Sequence, residues 1–175
     1  MNDIEFYKSI YEREFKRRFD LDNALNIPIG LIVVLLALIS FIISSLNFSQ
    51  HITANWIILG LTFISLLLII SAILFLARSY NNVFKNHKYL NLPFTYYLRE
   101  YQLNLDSYNS KVREETDKID FESQLIERLN HYTDNHILVN EFRARNLAYA
   151  KTVIILSVFI LLVASIIVIT IKYIL

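Results

Sequence analysis

The amino-acid sequence predicts an all-α membrane protein with three transmembrane helices, an N-terminal amphipathic helix, and a cytoplasmic helical region whose long last helix is continuous with the third span. Three observations predict it. Of 175 residues, 55% are hydrophobic and the mean hydropathy is +0.41, more apolar surface than a soluble domain of this size buries. Three apolar runs without a charge each reach the ~20 residues needed to cross a hydrocarbon core. The chain has two glycines and two prolines (Gly30, Gly60, Pro28, Pro93), too little turn chemistry for a sheet-rich fold.

Residues 1–25 form the cytoplasmic amphipathic helix. In "IEFYKSIYEREFKRRF", Ile4, Tyr7, Tyr11, Phe15 and Phe19 share a face at helical spacing. Glu12 with Lys16 and Glu14 with Arg18 are expected as i,i+4 pairs on the other side. Such a helix lies under the membrane, packs on the cytoplasmic helices, or holds a ligand. These 25 residues are too charged and mixed for a secretory signal peptide.

Transmembrane helix 1 is placed at 26–47, with Asn26 and Pro28 as a helix start. A short external loop, 48–55, follows. Transmembrane helix 2 is placed at 56–77, with Asn55 as its start. Residues 78–151 are the cytoplasmic helical region, in which Pro93 breaks the chain and a second helix begins at about Phe94. From about Asp120 no glycine or proline interrupts the chain, so one helix is expected to run on through transmembrane helix 3, 152–172, leaving 173–175 external. Five Lys/Arg precede the first span, none lies in 47–55, eleven lie in 78–151 and one follows the third span. The positive-inside rule therefore puts the N-terminus in the cytoplasm and the C-terminus outside.

Several chemistries are disfavoured. Without cysteine there is no disulfide, thiolate metal site or thiol nucleophile. His51, His87, His131 and His136 show no metal-binding spacing, and no Gly-rich phosphate loop exists. No Asp, Glu, His, Lys or Arg lies within a span, which argues against an ion-coupled carrier. The expectation is a chain that is not an enzyme and takes no cofactor.

Three sets of residues are candidates for function. Tyr96, Tyr97 and Tyr101 with Lys85, Lys88, Arg99, Lys111 and Arg113 interleave aromatic and basic side chains, the chemistry that stacks bases and holds phosphates; the same residues also suit packing and membrane-proximal charge. On the last helix, one heptad seam holds Ile119, Ile126, Thr133, Asn140 and Leu147, and a second holds Leu129, His136, Arg143 and Ala150. The polar members Thr133, His136, Asn140 and Arg143 fix register between helices or line a vestibule as part of a gate. Ser40 and Ser44, Thr62 and Ser65, and Ser157 and Ser165 are candidate pore-lining pairs, each expected on one helix face; packing within the membrane is their other use.

Two readings follow. Three spans cannot enclose a water path in one chain, so a pore implies an oligomeric ring. The alternative is a membrane-anchored interaction protein whose cytoplasmic helices recruit a soluble partner.

Asn135, Asn140, Arg143, Leu147 and Ala150, with two spans before them and one after, resemble the small three-span membrane effectors of bacterial anti-phage defence, nearest the channel subunits (HalA) of the Hailong system. The resemblance implies a homo-tetrameric ion channel in the bacterial inner membrane that depolarises the cell. It also implies a cytoplasmic ligand, a DNA oligomer or nucleotide made by a partner nucleotidyltransferase, that holds the channel closed.

Overall fold

The computed structural model of the chain describes residues 3–46, 52–80 and 88–173. Among them every regular element is helical: α1 (Asp3–Ala24), α2 (Asn26–Ser44), α3 (Ile52–Ser79), α4 (Thr95–Asn109), a 3-10 turn (Glu115–Asp117) and α5 (Phe121–Tyr173). Three stretches are long and apolar enough to cross a membrane, Asp3–Ser44, Ile52–Ser79 and Phe121–Lys172. The chain is thus built as an all-helical membrane protein.

The boundaries follow local chemistry. Pro28 has no N–H to give the carbonyl of Ala24, and α1 and α2 are separated there by the single residue Leu25. Leu25 keeps helical dihedrals (φ −75°, ψ −25°) and its carbonyl accepts from Ile29 at 3.2 Å. The expected Asn26 cap makes no capping bond. α2 does begin at Asn26, whereas the start expected at Asn55 is displaced. α3 begins at Ile52, and Asn55 is buried inside it. Pro93 does break the chain, and α4 starts after Phe94, whose ψ of 147° is extended. Asn109 closes the α4–α5 connection by bracketing the backbone of one residue: its Nδ2 donates to the Ile119 carbonyl at 2.8 Å and its Oδ1 accepts the Ile119 N–H at 3.0 Å. Asp120 then caps α5, accepting the Ser123 N–H at 2.9 Å.

The chain divides into two compact units, Met1–Asp20 with Lys85–Glu141, and Leu21–Phe84 with Phe142–Leu175. In the second, the buried residues of each helix step by three and four alternately. They are Pro28, Ile32, Leu35, Ile39 and Ile42 on α2, and Asn55, Ile58, Thr62, Ser65, Ile69, Ala72, Leu76 and Ser79 on α3. On α5 the same step runs through Arg143, Leu147, Ala150, Ile154, Ser157, Leu161, Ala164 and Val168, with Asn146 buried beside it. A 3.5-residue period keeps one seam turned inward and is the signature of left-handed helix packing, common in membranes. The opposite faces carry exposed apolar side chains such as Val33, Phe41, Phe63, Leu74, Phe159 and Ile166, which suit lipid.

In the first unit α5 continues the same step through Leu129, Thr133, His136 and Asn140. Both heptad series of the sequence are therefore buried along α5 from Leu129 on, while Ile126 is half-buried and Ile119 precedes the helix and is exposed. α1 differs from expectation. Its buried residues are Glu14 and Leu21, while Phe15 and Phe19 are exposed. Glu14 is not on a solvent face paired with Arg18; its carboxylate meets Arg13 at 3.3 Å and Arg17 at 3.5 Å. The i,i+4 pair on the open side is Lys8–Glu12 at 3.8 Å.

Candidate functional site

The four polar residues of the α5 seam gather into two clusters, one in each unit. In the first, Asn140 is the hub. Its Nδ2 donates to the Glu14 carbonyl at 2.9 Å and to Glu14 Oε2 at 3.2 Å, and its Oδ1 accepts from the Tyr89 hydroxyl at 2.6 Å. One amide thus serves a buried carboxylate and a half-buried phenol, using both ends of its dipole. Arg17 Nη2 reaches Glu141 at 2.8 Å on the neighbouring turn. The Arg18 guanidinium lies over the Tyr89 ring, 4.6 Å from its centroid.

His136 is fully buried among three rings. Tyr89, Tyr11 and Phe15 have centroids 4.9, 5.3 and 6.1 Å from the imidazole. Its Nε2 is 2.8 Å from the Leu90 carbonyl, which can only accept, so the proton sits on Nε2. Its Nδ1 has no partner, and neither has Arg18 Nε. Burial pushes the His136 pKa below its ordinary value. The Leu90 bond opposes that, Arg18 adds to it and Glu14 opposes it. Asn135 Oδ1 accepts the Leu90 N–H at 2.8 Å. Asn135 and His136 therefore bracket the backbone N–H and carbonyl of Leu90 as Asn109 brackets those of Ile119. Thr133 lies buried one turn before His136 on the same seam.

In the second unit Arg143, 1% exposed, sits at the end of α3. Its Nε donates to the Ser79 carbonyl at 2.7 Å, and the Ser79 hydroxyl donates back to the Arg143 carbonyl at 3.0 Å. Its Nη2 pairs with Asp22. Ser79 is the last residue of α3, whose final carbonyls lack helical partners, and a guanidinium there satisfies one and matches the negative end of the helix dipole.

The aromatic and basic set splits. Lys85 lies outside the described residues. Tyr96, Tyr97, Lys88, Arg99, Lys111 and Arg113 are exposed. Tyr101 packs instead, with the Arg128 guanidinium 4.5 Å from its ring centroid and Phe121 beyond at 6.3 Å. α4 has one buried residue, Leu105, and turns Tyr96, Tyr97, Leu103 and Tyr108 outward, with Phe94 80% exposed just before it.

The hydroxyl pairs of the spans divide: Thr62 and Ser65 share one face of α3 and Ser40 and Ser44 share one face of α2, but Ser157 and Ser165 fall on different faces of α5. Thr62, Ser65 and Ser157 are on the buried seams. Ser65 and Ser157 meet directly, Oγ to Oγ at 2.6 Å, and Thr62 bonds back to Leu59 at 2.9 Å. Ser40 and Ser44 lie off the seam of α2 and bond back to Leu36 and Phe41, and Ser165 lies off that of α5 and bonds back to Leu161. A 3.5-residue seam has room for Ser157 but not for Ser165, eight residues on.

Reading the sequence alone missed Glu14, Arg18, Asp22 and Ser79. A signal existed for Glu14: Tyr7, Glu14 and Leu21 are seven residues apart, so the carboxylate falls on a seam. No family model, curated protein or solved structure gives a significant match to the chain.

Proposed function

We propose that the chain is a membrane effector whose copies assemble into an ion-conducting pore, with the 78–151 region as the part on which a cytoplasmic ligand acts. The observation that carries the reading is α5. One uninterrupted helix contains both the buried polar residues Thr133, His136 and Asn140 and the apolar third span. A rigid element that is polar-locked at one end and membrane-embedded at the other suits transmission better than anchoring. Within one chain the seams of α2, α3 and α5 are filled by Ile58, Ile69, Leu161 and the Ser65–Ser157 pair. A water path would then run between chains, which makes the pore a homo-oligomer, a tetramer if the resemblance to the Hailong channel subunits holds. The same resemblance supplies the ligand class, a DNA oligomer or nucleotide that keeps the pore shut, and the setting, a bacterial inner membrane with the N-terminus cytoplasmic and the C-terminus external. Tyr96, Tyr97, Arg99, Lys111 and Arg113, all exposed, are the residues we propose for it.

Purified full-length protein in a planar bilayer should show discrete ion conductance, and its expression without a partner should depolarise cells. Absence of both under well-inserted conditions would overturn the reading. The outward aromatics of α4 favour a second one, a membrane-anchored protein that recruits a soluble partner through Phe94, Tyr96 and Tyr97. That reading predicts a silent bilayer together with a partner whose binding is lost on Tyr97→Ala.

A further inference from the structure

Residues 88–94, between α3 and α4, have no helix of their own, yet their first part is fixed by side chains at four points. Asn135 and His136 hold the N–H and carbonyl of Leu90, Asn140 holds the Tyr89 hydroxyl, and Arg18 covers the Tyr89 ring. All belong to the first unit. This is how a protein grips a foreign peptide: backbone polar groups are bracketed and one aromatic side chain is seated in a cage. Here the gripped peptide is the chain's own.

We propose that residues 88–92 form a releasable strap, clasped to α1 and α5 while His136 is neutral and let go when it takes a second proton. The chemistry lies in the imidazole's two nitrogens. Nε2–H is committed to the Leu90 carbonyl, so a further proton must enter at Nδ1, which is buried and has no acceptor. The charged groups that act on the ring both come from α1: Arg18, already stacked on the same Tyr89, and Glu14, which is drawn away by Arg13, Arg17 and Asn140. The strap contributes Tyr89 and the Leu90 carbonyl, and its Lys88 is exposed; one turn away on α5 are Tyr132 and Asn140. An imidazolium would thus stand beside a guanidinium in a ring-lined site. Leaving that site is the cheaper course, and Tyr89 and Leu90 are what cover it. The depressed pKa of His136 agrees, since it means that the clasped form resists the proton. The strap does not depend on whether the spans conduct.

The chain has no cysteine, so Asn91→Cys gives a single labelling position on the exposed strap. A nitroxide there, in the full-length protein in lipid nanodiscs, should be immobile at pH 8 and mobile at pH 5, with the change centred below the ordinary histidine value of 6.5 and far-UV circular dichroism unchanged. In a His136→Gln background, where a neutral amide can still donate to Leu90, the label should stay immobile at both pH values. In a Tyr89→Leu background it should be mobile at pH 8. A label that is mobile at pH 8 in the parent, one that stays immobile at pH 5, or an acid response that survives His136→Gln overturns the proposal. Loss of helix at pH 5 does so too, because release of a strap leaves helices intact.

Discussion

Ser79 and Arg143 exchange hydrogen bonds: the arginine Nε donates to the serine carbonyl and the serine hydroxyl donates to the arginine carbonyl. Each residue therefore closes the other's backbone, and the remaining guanidinium edge reaches Asp22, 42% exposed at its side chain. Arg143→Leu removes the guanidinium's bonds to Ser79 and Asp22 and takes the side-chain donor from the α3 carbonyl. Bonds from charged donors contribute about 1.5–3 kcal/mol, so a loss of about 2–4 kcal/mol in resistance to thermal unfolding in detergent is expected. Arg143→Lys should recover little of it, because one ammonium on a flexible stem does not reproduce the two-point geometry. A variant with unchanged midpoint would remove the capping role.

Ser65 and Ser157 touch across α3 and α5 within one chain. The pair Ser65→Cys, Ser157→Cys in this cysteine-free background should oxidise to a cross-link inside single chains, seen as a faster-running monomer band. Dimer bands instead would place these hydroxyls between copies. A double-mutant cycle of the two alanine variants should give a coupling of about 0.6 kcal/mol, up to ~1.7, the range for bonds between membrane helices.

Asn140→Leu leaves the Tyr89 hydroxyl and Glu14 carboxylate without their shared partner. A hydrogen bond to a charged group such as the buried Glu14 carboxylate contributes about 1.5–3 kcal/mol. The loss should appear in the first unit, as faster amide exchange at Leu90 and along α1, with the apolar spans unaffected. Equal exchange in both proteins would rule out the hub.

Asp120 caps α5 through the Ser123 N–H and hydroxyl, and those bonds hold its carboxylate below the ordinary value of 3.8. A group with a lowered folded-state pKa stabilises above its unfolded value and stops doing so as pH falls through the folded one. Protection of the Ser123 and Gln124 amides should therefore persist at pH 5 and be lost only as the pH falls below the ordinary carboxylate value of 3.8. Asp120→Ala should show that loss at pH 7.

The spans and the long α5 were legible because apolar length and the scarcity of glycine and proline are local signals. The seam at Asn140 and Arg143 was legible as a buried face, since heptad spacing reports that something covers it. It does not report what. The partners are Glu14, Tyr89, Asp22 and Ser79, between 51 and 126 residues away for the hydrogen bonds of Asn140 and Arg143. Glu14 was misplaced because a carboxylate counts as surface until an amide is known to face it. Asn55 resembled a cap because asparagine favours helix starts, but Ile52 onward already propagates the helix. The basic tyrosine set was legible only as composition. Its division into exposed Tyr96 and Tyr97 and packed Tyr101 depends on where Arg128 comes to lie.

The back-bonded hydroxyls of the spans carry one more consequence. Ser40, Ser71, Thr152, Ser165 and Thr170 each donate their proton to a carbonyl one turn earlier. A hydroxyl so committed has no proton left to offer, but its lone pairs remain. Any passage walled by these side chains shows electron-rich oxygen and withholds hydrogen. Such a wall solvates sodium or potassium in place of water and gives chloride nothing to hold, so the selectivity of a pore built from this chain would be for cations.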